Sequence, residues 1–318
     1  MQSERQQTVN EASAYHRPVM VEECLEGLAL RPDGVYVDAT FGGGGHSRAI
    51  LSRLGPEGRL LAFDRDGDAL ANAPDDERLT LIGEDFRYLK RFLRLYGVRR
   101  IDGLLADLGI SSHQIDSAER GFSTRFEGPL DLRMDRRQGA TAADLVNTME
   151  AAELERVLRL YGELNNAHAM AEAIVAARQR EALTTTQGLC EAVRRLLPRG
   201  HENKVLAQLF QALRIEVNGE LEALQELLKQ GSELLVEGGR MCIMSYHSLE
   251  DRLVKNYFRS GHFDGKEEKD FYGNLLAPLR PVGRKPVMAS DVEVQENNRA
   301  RSAKLRVAMK VKTEGTAQ

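Results

Sequence analysis

The chain has 318 residues, enough for one large domain with an insertion or for two domains with separate cores. Charged residues make up 29% and the formal net charge is −4, so the molecule is no polycation and any nucleic-acid surface must be local. Cys24, Cys190 and Cys242 form no CxxC pair, and no stretch approaches ~20 consecutive apolar residues. A disulfide framework, a cysteine zinc site and a membrane span are thereby excluded, and a cytoplasmic, soluble protein in a reducing compartment is expected.

Residues 1–14 are polar and read as a disordered tail. Val35-Tyr36-Val37-Asp38 then reads as a short buried strand. Gly42 to Gly45 follow, and four glycines let the backbone turn sharply and lie flat against a ligand. Ser47 to Leu54 reads as the helix that leaves this turn. Leu60-Leu61-Ala62-Phe63-Asp64 is a second strand ending in a carboxylate, about 20 residues past the glycines. In nucleotide-binding α/β folds a carboxylate there takes ribose hydroxyls. Leu79–Ile82 and Ile101–Asp107 continue the series at the spacing of βαβ units in a parallel sheet.

The pattern changes after Gly109. From about 115 to 215 there is no convincing strand. Asn147-Thr148 is placed to cap a helix running to Tyr161, which Gly162 would stop, and 166–180 and 186–197 read similarly. A long helical stretch from Val217 leads through Gly238-Gly239 into the apolar run Met241–Met244. Ala303 to Val311 alternates apolar and basic residues, the period of a half-buried edge or hairpin strand. The expected architecture is one α/β sheet formed by 15–114 and 216–318, with a helical subdomain inserted at 115–215. An insertion at a strand's carboxyl end sits where ligands bind in such sheets.

A dinucleotide loop requires G-x-G-x-x-G, and neither frame closes: the sixth position is Ser47 counting from Gly42 and Arg48 counting from Gly43. Asp64, Asp85 and Asp107 put acids at three successive strand ends. Glycines and carboxylates suit S-adenosylmethionine, a cation without phosphates, better than a pyrophosphate. A tight structural turn is the plainer account of Gly42 to Gly45 taken alone, and a nicotinamide-dependent oxidoreductase is the competing enzyme class.

Several blocks carry a family likeness: 16–20 (His-Arg-Pro-Val-Met), 38–47, 62–66, 106–112, 119–123, 128–135, 210–215, 245–252 (Ser-Tyr-His-Ser-Leu-Glu-Asp-Arg) and 301–306. Across these blocks the chain closely resembles the bacterial 16S ribosomal RNA cytosine-N4 methyltransferase family, from about His16 to Val311. The resemblance implies a class I methyltransferase (Rossmann-like) sheet and S-adenosylmethionine as cofactor. It also implies methylation of a cytidine N4 amine in the decoding region, with 16S rRNA or the small ribosomal subunit as partner. Matched position by position, the cofactor contacts would be Gly44, Gly45, His46, Asp64 (ribose), Phe86 (adenine), Asp107 and Gln114. The family often has Arg at Gly43 and Pro at His113, and the basic residues of its block after Tyr161 are Ala and His here.

Methyl transfer from a sulfonium is an in-line displacement, so the protein mainly positions the nucleophile and excludes water. Methylation at cytosine C5 would call for a nucleophilic cysteine, and none lies near 107–114 or 245–251. An exocyclic amine needs only an acceptor for its N–H. Asp107 is the candidate, followed by Ser111 and Ser112, although the Asp/Asn-Pro-Pro-aromatic loop of many amino-directed methyltransferases is replaced by Asp107-Leu108-Gly109-Ile110. His247 is a candidate proton relay, whereas Ser248 and Asp251 fit a helix cap. Between Arg280 and Lys312 nine Lys or Arg face three acids, and Arg120, Arg125, Arg133, Arg136 and Arg137 cluster in another stretch. Such local excess fits phosphate contact. Phe122, Phe271 and Tyr272 are candidates to stack on an unpaired base. A DNA amino-methyltransferase and a non-catalytic ribosome-assembly factor are the remaining alternatives.

Overall fold

The structure, a computed structural model, describes residues 18–312; the polar tail 1–14 lies outside them. Eight strands form one sheet: β1 Val35–Asp38, β2 Arg59–Phe63, β3 Leu79–Ile82, β4 Ile101–Asp107, β5 Leu235–Ser245, β6 Leu279–Pro281, β7 Val287–Met288 and β8 Lys304–Lys310. The order is β3-β2-β1-β4-β5-β8-β6, with β7 also pairing β8. β1 to β5 are mutually parallel, whereas β8 runs antiparallel to β5, β6 and β7. This is the Rossmann-like, class I methyltransferase sheet that the resemblance implies.

The central strands are near-continuous apolar runs because both faces are covered. Successive side chains point to opposite faces, so neighbours in sequence enter different cores. Val37, Leu61, Leu104 and Met241 join one, with Leu89, Leu93, Leu227 and Phe258 from the helices over that face. Tyr36, Leu60, Leu105 and Cys242 join the other, with Leu28, Ile50 and Leu54. The alternating segment expected as a half-buried edge or hairpin strand is β8, an interior strand with antiparallel partners on both sides. Met241 to Ser245 pair with it on one side and β6 and β7 on the other. Its burial does not follow the apolar alternation: Leu305 and Ala308 are buried and the other five residues are half-buried.

The chain divides into two compact units, 1–109 with 223–318, and 110–222. The second is helical, apart from a single bridge pairing Pro129 with Thr185, around its own core of Leu154, Leu158, Met170, Ile174, Leu189 and Leu213. Its helices begin where side chains can accept orphan backbone N–H groups. Thr141 and Asp144 form a capping box for Ala142–Thr148, and Thr185 caps Thr186–Val193. The cap expected at Asn147-Thr148 is displaced: these residues end that helix, and Glu150 precedes the next one, Ala151–Tyr161. Asn147 instead links two segments, donating to Ala143 and Leu183 carbonyls and accepting from the Leu183 N–H. Gly162 does end its helix, and Gly219, at φ +54°, separates Glu202–Asn218 from Glu220–Leu234.

Candidate active site

β1, β2 and β4 end side by side, and each ends in or just before an aspartate. Asp38 is fully buried; its Oδ2 accepts from the Ser47 hydroxyl at 2.7 Å and its Oδ1 from the Thr40 N–H at 3.1 Å. The Thr40 hydroxyl oxygen in turn accepts the Asp107 N–H at 2.7 Å, tying the glycine loop to the end of β4. Asp64 is held by two backbone donors, the Gly42 N–H at 2.7 Å and the Asp66 N–H at 2.8 Å. Asp107 accepts the Tyr246 hydroxyl on Oδ1 at 2.7 Å, and its Oδ2 lies 3.9 Å from His46 Nδ1.

Among the described residues no Lys or Arg pairs with Asp38, Asp64 or Asp107. Burial therefore pushes all three carboxyls up. Asp64 rises to about 6 against its backbone donors, and Asp107 to about 6 against the His46 ring and the Tyr246 hydroxyl. The Tyr246 phenol is itself driven upward, by burial first and then by Asp107, so it remains the donor.

The glycine loop explains its own composition. Gly42 and Gly44 have φ of +52° and +74°, a region only glycine enters readily. A Cβ on Gly44 would meet the Phe41 ring at 2.8 Å, and one on Gly45 would meet Pro18 at 2.7 Å. A Cβ on Gly42 would enter open space, so the loop's free side lies there. Arg48 is spent on the carbonyls of Gly43 and Asn72, both at 2.6 Å. What faces a ligand is thus bare backbone and anionic acceptors. That donor set fits a sulfonium, an ammonium and ribose hydroxyls, and it fits a pyrophosphate poorly.

Gly44, Gly45, His46, Asp64 and Asp107 come together at these strand ends. Phe86 stands half-buried where a 3-10 turn, Phe86–Tyr88, follows β3. His46 is 6% exposed and its Nε2 bonds the Val19 carbonyl at 2.9 Å. Asp85 does not belong with the other acids: Arg65 (2.9 Å) and Arg87 (3.0 Å) both bind its Oδ2, which neutralises it. Gln114 lies in the inserted unit, where its side chain completes a capping box with Ser111 at the start of Ser112–Asp116.

The 245–252 block also differs from its sequence reading. His247, not Ser248, is the N-cap of the helix Ser248–Ser260, and its side chain makes no capping bond. Glu250 accepts the Tyr246 N–H at 3.0 Å, and Asp251 turns away to Arg306 at 2.7 Å. Both His247 ring nitrogens are buried without a hydrogen bond; Nε2 is 3.2 Å from Glu250 Oε1. Tyr246, Thr40, Ser47 and Asp38 were not singled out as functional from the sequence. The usable signal was position, since Tyr246 directly follows a buried strand next to the one that ends at Asp107.

Residues 13–311 match the model of the MraW methylase family. The chain belongs to the MraW methylase family. Ribosomal RNA small subunit methyltransferase H of Flavobacterium johnsoniae is 54% identical over 297 residues, 93% of this chain and 98% of that one. Proteins of the same name from Parabacteroides distasonis (53%; 94% and 98% covered) and Cytophaga hutchinsonii (54%; 92% and 99% covered) match similarly. The enzyme is an S-adenosylmethionine-dependent methyltransferase, and the acceptor-rich strand ends suit that cofactor's chemistry.

Proposed function

We propose that this enzyme methylates the exocyclic N4 amine of a cytidine in the decoding region of 16S rRNA. The cofactor supplies an electrophilic methyl group on a sulfonium; Gly44, Gly45, His46, Asp64 and Phe86 are the residues that would hold it. The observation that carries the reading is the orientation of Asp107. One carboxylate oxygen is fixed by the Tyr246 hydroxyl, which leaves Oδ2 to accept an amine N–H and turn the nitrogen lone pair toward the methyl group.

Cys24 and Cys242, the two cysteines of the unit that carries the glycine loop, support an amine target over ring carbon. Cys242 lies inside β5, fully buried with its thiol pushed far up by burial, and Cys24 is equally buried. Neither is available to add to a pyrimidine ring. The second unit, 110–222, is assigned to substrate recognition, where Arg125 and Arg136 are exposed. The relatives named for small-subunit ribosomal RNA support the same acceptor. No helix among the described residues is long and apolar enough to cross a membrane.

The test is transfer of labelled methyl from S-adenosylmethionine to small ribosomal subunits lacking the modification, followed by nucleoside analysis. N4-methylcytidine is expected. Label on a ring carbon, or on DNA in preference to RNA, would overturn the assignment.

A further inference from the structure

The largest unexplained apolar exposure among the described residues is a hairpin tip. Phe271 is 98% exposed and Tyr272 86%, above every other large hydrophobic residue described. They occupy the two central positions of a turn that is fully satisfied without them. The Asp270 carbonyl accepts the Gly273 N–H at 3.0 Å, and Gly273 takes φ +85°, as the turn requires. The Asp270 carboxylate accepts the N–H groups of Tyr272 and Asn274, both at 2.8 Å, and the Asn274 amide at 2.9 Å. Lys269 pairs with Leu275 behind the tip. The two central positions of such a turn ordinarily carry small or polar residues. Here they carry two aromatic rings, held edge to face with centroids 5.7 Å apart.

The charge that flanks the tip in sequence is asymmetric in what it leaves free. Asp264 lies 3.4 Å from Lys266, Glu267 3.7 Å from Lys269 and Glu268 3.5 Å from His262, and Asp270 is spent on its own turn. The following segment, 279–285, contains Arg280, Arg284 and Lys285 and no acid. All three are exposed, and among the described residues none has a carboxylate partner. An exposed pair of aromatic rings followed in sequence by uncommitted cations is the composition of a site for single-stranded nucleic acid. The rings stack bases without reading them and the cations meet phosphates.

We propose that the 268–276 hairpin is a stacking platform for unpaired bases of the RNA substrate, with Arg280, Arg284 and Lys285 contacting its backbone. The proposal rests on the reading of the substrate as RNA. It adds a second point of hold, on the unit that carries the cofactor loop.

The chain has no tryptophan, so Phe271→Trp gives a fluorophore at the tip alone. Its emission should be quenched by a short single-stranded RNA and unchanged by a duplex of equal length. The double variant Phe271→Ala/Tyr272→Ala should bind the single strand about tenfold or more weakly, the scale of one to two lost base stacks. Its unfolding midpoint should match the parent, because the turn's own bonds remain. Absence of quenching, equal quenching by the duplex, or unchanged affinity of the double variant would each overturn the platform. The RNA reading itself is judged separately, by whether the unaltered enzyme labels small subunits.

Discussion

Asp107 and Asp251 stand at the two ends of a contrast in how this protein treats a partly buried carboxylate. Asp251 is gripped by Arg306 at 2.7 Å and by Lys304 at 3.6 Å, and against the opposing pull of burial these cations hold it below the usual carboxylate range. Asp107 accepts the Tyr246 hydroxyl and lies 3.9 Å from His46, and burial, helped by the charges of Asp38 and Glu250, lifts it to about 6. One carboxylate is neutralised to stabilise the fold. The other is left short of positive charge, at a cost in stability, where a cationic cofactor and an amine nucleophile would meet it.

The largest expected effect breaks this contrast at Asp107. Asp107→Asn keeps an acceptor for Tyr246 and removes the charge; methyl transfer should fall by about two orders of magnitude or more in kcat. The same variant should unfold at a higher temperature at pH 8. A carboxyl whose folded pKa is raised favours the folded state when protonated, so its contribution is lost as pH rises from about 4 to about 6. Removing it restores stability on the order of 2 kcal/mol above pH 6 and almost none at pH 4. An unchanged midpoint at pH 8 would show that Asp107 is not charge-starved.

At the other end, Arg306→Met strips Asp251 of its main partner and should cost about 3 kcal/mol in denaturant unfolding. Because Asp251 is depressed, its stabilising pairing is present above about pH 4 and is lost as pH falls below that, the reverse of Asp107. Turnover per folded molecule should stay within about twofold of the parent, since neither residue faces the glycine loop; a large loss of turnover would erase the distinction. Gly44→Ala tests the scaffold between these ends. Its φ of +74° and the Phe41 ring at 2.8 Å predict a loss of about 2 kcal/mol, with weaker S-adenosylmethionine binding by calorimetry. The smallest effect belongs to an exposed pair: Arg53→Gln removes a partner 3.2 Å from Glu22 and should move stability by less than about 0.5 kcal/mol.

Much of the sheet was legible because its strands are short apolar runs with turn residues between them. β1, β3 and β4 start and end where the apolar pattern does. The place of β8 in the sheet was not, because a period of two marks a strand and says nothing of what pairs with either edge. The sequence could not sort its basic residues either. Arg120 is 2% exposed and donates to the carbonyls of Arg133 and Met134, while Arg133 and Arg137 are tied to Asp131 and Asp135 two residues before them. Phe122 is core, 7% exposed, whereas Phe271 and Tyr272 are bare. Composition alone cannot separate an arginine that braces a loop from one that awaits a phosphate.

The sequence by itself determined the strand–glycine–helix unit, the carboxylate at Asp64, the parallel series and the family, since these depend on local periodicity, on conformations only glycine permits, and on long matching blocks. Tertiary structure alone decided which acids remain without cationic partners. Asp38, Asp64 and Asp107 converge because adjacent parallel strands end together, while Asp85 and Asp251, alike in sequence, fall within reach of arginines. The charge state of a carboxylate is set by what the fold brings within a few ångströms of it, and that distance is not written in the order of the residues.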